Sequence, residues 1–224
     1  MSTAMPFPTP DDTAETYWNG FYRGLDRPAA SPPGPNALLV EEVGPLSPGT
    51  ALDLGCGFGG DAIWLATQGW RVTAVDVSGA VLERAGEYAA RADVAERIDW
   101  QRHDLTATFP AGTHDLVCAQ FLHSPMERPG QRDAILRRAL DAVAPGGSLL
   151  VTGHTGIPDS MKGTPFDVHL PTTTELHAAL NPDPAVWSTV TERAATRETT
   201  GPDGRSFTHR DMMLRLVRAQ AYAR

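Results

Sequence analysis

The stretch Asp53-Leu54-Gly55-Cys56-Gly57-Phe58-Gly59-Gly60 stands where a short apolar run ends and a helical pattern begins. Glycines at such a turn permit positive φ and remove the Cβ atoms that would hold a ligand off the backbone. Strand, tight turn and helix therefore form one unit, and a nucleotide-like ligand can lie flat on the turn. Working outward, β-prone apolar runs occur at 51–54, 71–75, 98–102, 116–119 and 148–152, each short and bounded by turn residues. Helical patterns fall between them at 61–68, 80–91 and 132–143, and in the last of these Ile135, Leu136, Ala139, Leu140 and Val143 keep a 3.6-residue period. Such alternation predicts an α/β fold, a single Rossmann-like domain with a mostly parallel sheet and helices on both faces.

Farther along, a helix is expected near 173–180, followed by strand-like runs at 186–198 and 207–217. Between those runs Gly201-Pro202-Asp203-Gly204 is a strong reversal signal, so the two should form an antiparallel hairpin. Before the glycine stretch, Asn36 can cap a short helix carrying Leu38, Leu39, Val40 and Val43, which Gly44 and Pro45 end. Residues 1–35 are rich in proline and small side chains, yet Tyr17, Trp18, Phe21 and Tyr22 form an aromatic island within them. The island is either a helix packed on the core, a lid over a ligand, or both. The expected division is a lid or cap segment at 1–35 and a ligand-binding domain at 36–224.

Composition narrows the function. The chain has 224 residues, 41% hydrophobic and 21% charged, enough for one sizeable core. No apolar run approaches the roughly 20 residues that span a bilayer. Residues 1–12 carry neither a basic cluster nor an apolar core of a leader, so a cytoplasmic location is expected. A formal net charge of -8 argues against nucleic acid as a partner. Cys56 and Cys118 are the two cysteines, too few for a disulfide framework or a zinc cage, and the histidines show no paired metal spacing, so no metal is expected.

Gly55, Gly57 and Gly60, with Asp76 about 20 residues on, also fit a dinucleotide fingerprint, and a nicotinamide oxidoreductase must be weighed. Against it stand an acid, Asp53, at the loop entrance and the lack of a second domain for a hydride acceptor. Asp53 suits a cationic ligand, and the methionine part of S-adenosyl-L-methionine carries an ammonium that wants a carboxylate or exposed carbonyls. A residue tying down loop amides is the plainer alternative for Asp53. Asp76 in Val75-Asp76-Val77-Ser78 ends the second strand, where an acid can accept both ribose hydroxyls. At the third strand's end, His103-Asp104-Leu105 places a carboxylate toward the adenine amino group and an apolar cover over the ring, or else a solvated acid.

These residues resemble the class I S-adenosylmethionine-dependent methyltransferases, and more narrowly the small-molecule group that includes thiopurine and tellurite-resistance methyltransferases. The resemblance rests on Asp53 to Gly60, Asp76, the turn Ala144-Pro145-Gly146-Gly147, the Asp203-Gly204-Arg205 reversal and the motif Tyr17-Trp18-Asn19-Gly20-Phe21-Tyr22. It implies a seven-stranded sheet whose last strand inserts antiparallel, and an N-terminal lid that closes over the cofactor. Where the family's lid carries acidic and basic residues after its tryptophan, this chain has Asn19 and Gly20. The residues expected at the cofactor are Trp18, Tyr22, Asp53, Gly55, Cys56, Gly57, Gly59, Asp76, Val77, His103, Asp104, Leu105 and Gln120.

Methyl transfer from a sulfonium would leave S-adenosyl-L-homocysteine and methylate a small-molecule acceptor through an S, N or O nucleophile. A non-catalytic cofactor-binding module is the alternative. After the fourth strand, Ala119-Gln120-Phe121-Leu122-His123-Ser124-Pro125 enters the crevice at the strands' carboxyl ends, where α/β ligands bind. His123 is the first candidate for a general base and His154, just past the fifth strand, the second; a purely structural role is the alternative for each. Loops at 125–131 and 156–171 are expected to shape the pocket. A monomer or homodimer is expected.

Overall fold

The computed structural model describes residues 8–9, 11–25, 33–156, 170–200 and 206–220. An N-terminal helix α1 (Ala14–Gly24) starts in a capping box between Thr13 and Thr16. Helix α2 (Ala37–Val43) follows, and Asn36 caps it as expected, its Oδ1 accepting from the Leu38 amide at 3.0 Å. Then come β1 (Thr50–Leu54), α3 (Gly60–Thr67), β2 (Arg71–Asp76), α4 (Gly79–Arg91), β3 (Ile98–Arg102), β4 (His114–Gln120), α5 (Gln131–Asp141) and β5 (Val143–His154). Helix α6 (Thr173–Leu180) precedes the hairpin of β6 (Trp187–Thr200) and β7 (Ser206–Arg218).

One seven-stranded sheet results, in the order β3-β2-β1-β4-β5-β7-β6. β1 to β5 pair in parallel, while β7 slots antiparallel between β5 and β6. The expected architecture, with its inserted last strand, is the one observed. The reversal at 201–205 and most of the loop at 156–171 lie outside the described residues.

Strand side chains alternate between two cores. Ala51, Leu116, Cys118, Leu150 and Met213 pack with α2, α3 and α4 on one face. Leu52, Val117, Ala119, Leu149 and Leu214 pack with α5 and α6 on the other. Both faces of the sheet's central strands are dry, which is why those strands read as continuous apolar runs rather than alternating ones. Each buried Leu, Val or Met among them contributes about 1.5–3 kcal/mol.

One boundary differs from expectation. Val143, read as the last helical position, opens β5 opposite His114, and the ladder then skips to Leu116 opposite Ser148. The intervening Ala144-Pro145-Gly146-Gly147, expected as a turn before the strand, is a bulge inside it. Pro145 has no amide to give a ladder, and Gly146 sits at φ +82, so the chain arches out and rejoins in register. Among the described residues no helix is long and apolar enough to cross a membrane.

Candidate cofactor and acceptor site

Every parallel strand ends on the same side of the sheet, and the loops there are tied together. The Val75 carbonyl accepts the Gly55 and Cys56 amides at 2.8 and 2.9 Å, and the Asp76 carbonyl accepts the His103 amide at 3.0 Å. Gly55, Gly57 and Gly59 all adopt positive φ. They serve different ends. A Cβ on Gly55 would stand 2.7 Å from Leu122 Cδ1, and one on Gly57 3.3 Å from the Tyr22 hydroxyl. At Gly59 it would stand 2.5 Å from Trp100 and at Gly60 2.7 Å from the Pro33 carbonyl, so this pair serves packing at the helix start.

A cavity of about 460 Å³ opens over these strand tips. Of the expected residues, Trp18, Tyr22, Gly55, Asp76, Val77, His103, Asp104, Leu105 and His123 line it. Asp53, Cys56, Gly57, Gly59, Gln120 and His154 do not, and stand behind or beside the lining. Phe58, considered in the sequence as an aromatic face for a sulfonium, is buried in the core against Tyr22 with ring centroids 5.2 Å apart. Helix α1 forms one wall. Its Tyr17 is buried, and Asn19 Oδ1 accepts from the Ser78 hydroxyl at 2.7 Å and from the Ala80 amide at 3.3 Å. Asn19 thus fastens α1 to the start of α4, while Trp18 and Tyr22 face the cavity. The aromatic island is a packed helix, two of whose rings also line the cavity.

Asp76 is 6% exposed, with Oδ2 accepting from the Gly57 amide at 3.0 Å and Oδ1 from the Ser78 amide at 2.9 Å. Burial raises its carboxyl above the usual range, and the two amides pull it back. Asp53, 2% exposed, is pushed well up by burial and then by the nearby Asp61 carboxyl. Its Oδ2 is buried without a partner, as is Nε2 of Gln120, whose Oε1 accepts from Asn36 Nδ2 at 3.0 Å. Unpaired buried polar atoms cost about 1–3 kcal/mol each. An orphaned acceptor and an orphaned donor beside the glycine turn match an α-ammonium and an α-carboxylate. Burial, then Asp76, keeps the Tyr22 hydroxyl protonated and able to donate. At the third strand tip, both His103 ring nitrogens are occupied, by Thr108 at 2.9 Å and Gln101 at 3.1 Å, and Asp104 Oδ1 is taken up by Thr106.

On the opposite wall the chain leaves β4 through Phe121, a left-handed residue at φ 53 beside His123. Burial, then His154, then Arg132 lower the His123 imidazole to about 4. His154 Nδ1 lies 2.8 Å from Asp211 Oδ1. Glu127, raised by burial and drawn back by Arg132 at 3.6 Å, completes this side. Asp211, Glu127, Arg132 and Phe121 were not singled out in the sequence. For Glu127 and Arg132 the hint was their place in or next to the loop at 125–131; for Asp211 it was an acid immediately before the apolar run Met212-Met213-Leu214. Among the described residues no group of three or more His, Cys, Asp or Glu side chains could hold a metal ion.

Comparison with known proteins agrees with this geometry. A family model described as a methyltransferase domain matches residues 51–147. The chain is 30% identical over 158 residues to ribosomal RNA small subunit methyltransferase C of Alcanivorax borkumensis, covering 63% of this chain and 47% of that one. It is 29% identical over 136 residues to probable thiol methyltransferase 2 of Arabidopsis thaliana, covering 61% and 59%. It thus spans about half the length of these relatives. Its fold matches that of TehB from Haemophilus influenzae with a TM-score of 0.67 at 18% identity, covering 92% of this chain and 67% of that one. The matched methyltransferase domain holds the glycine turn and the acid at the next strand tip, and the fold around it, with its inserted last strand, is the one shared with TehB.

Proposed function

We propose that this protein transfers a methyl group from S-adenosyl-L-methionine to a small-molecule acceptor by in-line displacement. The observation that carries it is the pair of orphaned buried atoms, Asp53 Oδ2 and Gln120 Nε2, beside a glycine turn whose next strand tip bears Asp76. Asp53 and Gln120 would hold the ammonium and carboxylate, Asp76 the ribose, and Val77, Asp104 and Leu105 the adenine. Cys56 and Gly57 would shape the turn, and the main chain at His103 would close the adenine side.

When bound, the cofactor supplies an electrophilic methyl on a sulfonium. The chain's own task is alignment and exclusion of water, which can supply roughly 7–11 kcal/mol. Trp18 and Tyr22 would cover the cationic center, worth about 0.5–2 kcal/mol per ring in contact. Residues 1–35 act in this reading as the lid, with Asn19 in place of the family's charged pair, and residues 36–224 as the transferase domain. His123 and His154 are the candidates to receive the acceptor's proton.

A small acceptor is favored over nucleic acid by the net charge of -8. The names of the two relatives cover RNA and a thiol, so the acceptor atom is taken from the cavity itself. A cytoplasmic monomer or homodimer fits the same reading. The test is calorimetric titration with S-adenosyl-L-homocysteine, followed by transfer of labeled methyl to a panel of thiols, phenols and amines. Binding without any product would favor a non-catalytic module; no binding to a folded protein would remove the proposal.

A further inference from the structure

Asp211 lies within β7, directly across the antiparallel ladder from His154 at the end of β5. It is 2% exposed, and its Oδ1 stands 2.8 Å from His154 Nδ1. A buried carboxylate so placed holds the imidazole with its proton on Nδ1 and stabilizes the imidazolium that forms when Nε2 gains another. The His154 ring packs against Phe121 and His123, with centroids 4.6 and 5.5 Å away, and both of those residues line the cavity. Phe121 keeps its left-handed backbone with its amide bonded to the Thr152 carbonyl at 2.7 Å. A bulky residue holds such a conformation only where its surroundings over-determine it, commonly at functional sites. Here the turn it makes brings the chain from the tip of β4 to His123 beside His154.

We propose that His123, His154 and Asp211 form a proton relay on the acceptor side of the cavity, and that the acceptor is accordingly an O–H or N–H compound. This rests on the methyltransferase reading above. The bond formed joins the acceptor oxygen or nitrogen to the methyl carbon, and the bond broken is methyl to sulfur, its electron pair remaining on sulfur. The acceptor's proton passes to His123 and on to His154, where the Asp211 carboxylate balances the new charge. A thiol that is already ionized has no proton to hand over and gains nothing from the relay.

The electrostatics fit a conduit ending at the third residue. With His123 at about 4, only about one molecule in a thousand carries a proton there at pH 7. His123 therefore passes the proton on rather than storing it. Among the described residues, Arg132 opposes its protonation, and Arg132 itself engages Glu127 at 3.6 Å. Asp211 is the carboxylate bonded to His154.

Imidazole nitrogen NMR on the ligand-free protein reads the pair without turnover. His154 is expected in the Nδ1-protonated tautomer in the wild type and to lose that preference in Asp211→Asn. In Asp211→Asn and in His154→Gln, kcat with phenols and amines should fall 100-fold or more relative to kcat with thiophenol, while S-adenosyl-L-homocysteine affinity stays within twofold. The rise of kcat with pH should also change shape in both variants. An unchanged tautomer, an unchanged phenol-to-thiophenol ratio, or a wild-type protein that methylates thiols alone would overturn the relay. Failure of the wild type to bind S-adenosyl-L-homocysteine would remove the methyltransferase reading itself, and the relay with it.

Discussion

Replacing Asp76 by Asn tests the cofactor cradle at its most constrained point. The carboxylate accepts two amides, from Gly57 and Ser78, at 3.0 and 2.9 Å. An Asn offers one oxygen for the two, so one buried amide must face an NH₂ group, at a cost of about 1–3 kcal/mol. Part of this returns, because burial disfavors the Asp76 charge and the amide carries none. The melting temperature should drop by only a few degrees, at about 2–4 °C per kcal/mol for a chain of this size. Binding suffers separately. A ribose hydroxyl pair loses its charged acceptor, worth about 1.5–3 kcal/mol, so Kd for S-adenosyl-L-homocysteine should weaken roughly 10- to 150-fold. Calorimetry gives Kd and a thermal scan gives stability, on the same samples. A lowered melting temperature with Kd within twofold of wild type would show that Asp76 only ties loops together and that the ribose lies elsewhere.

Two further outcomes separate packing from binding and charge from shape. Gly59→Ala puts a Cβ at φ +77 and 2.5 Å from the Trp100 ring, so it should destabilize by roughly 2–5 kcal/mol in a chemical melt yet leave Kd of the folded protein within about threefold. A large loss of affinity at normal stability would place Gly59 in the cradle instead. The Asp53 carboxyl is raised by burial and by Asp61, so the ligand-free fold binds that proton more tightly than the unfolded chain does, and its stability falls as pH rises from the ordinary carboxylate value through the raised one. A cationic ligand favors the ionized form; affinity should therefore tighten with rising pH over that window, by at most about tenfold per unit for one proton. Calorimetry in buffers of different ionization heat should detect proton release in the wild type and none in Asp53→Asn, and equal release in both would exclude Asp53 as the ammonium's partner.

Much of the fold was legible because the central strands of this sheet are local in sequence and dry on both faces. Short apolar runs such as Ala51-Leu52 and Leu116-Val117 announce themselves, and Asn36 announces its helix by capping. What misled was Val143, whose spacing from Leu136 and Leu140 continues a helical stripe although the residue is a strand position buried on the same face of the sheet. Periodicity reports which face a residue buries, not which element carries it. The bulge at Ala144 to Gly147 was visible as turn residues, but only the ladder on both sides distinguishes a bulge from a connection.

The two sides of the cavity differed in legibility for a physical reason. Gly55, Asp76 and Val77 sit at the ends of neighboring parallel strands, where chain direction alone brings them together, so a motif with a fixed spacing carries them. Asp211 meets His154 across 57 residues, through a ladder whose register depends on where β7 inserts between β5 and β6. Shifting that register by one residue would turn Asp211 to the opposite face and bring Arg210 or Met212 to His154. No local pattern fixes this. The pairing of Ser148 with Val217 through His154 with Asp211 fixes it, because it keeps Met212, Leu214 and Leu216 in one core. In the proposed reading, cofactor binding is thus written into one loop and its neighbors, whereas the acceptor side depends on the assembled sheet; substitutions in the core face of β7 that slide the strand should alter acceptor turnover before they alter cofactor affinity.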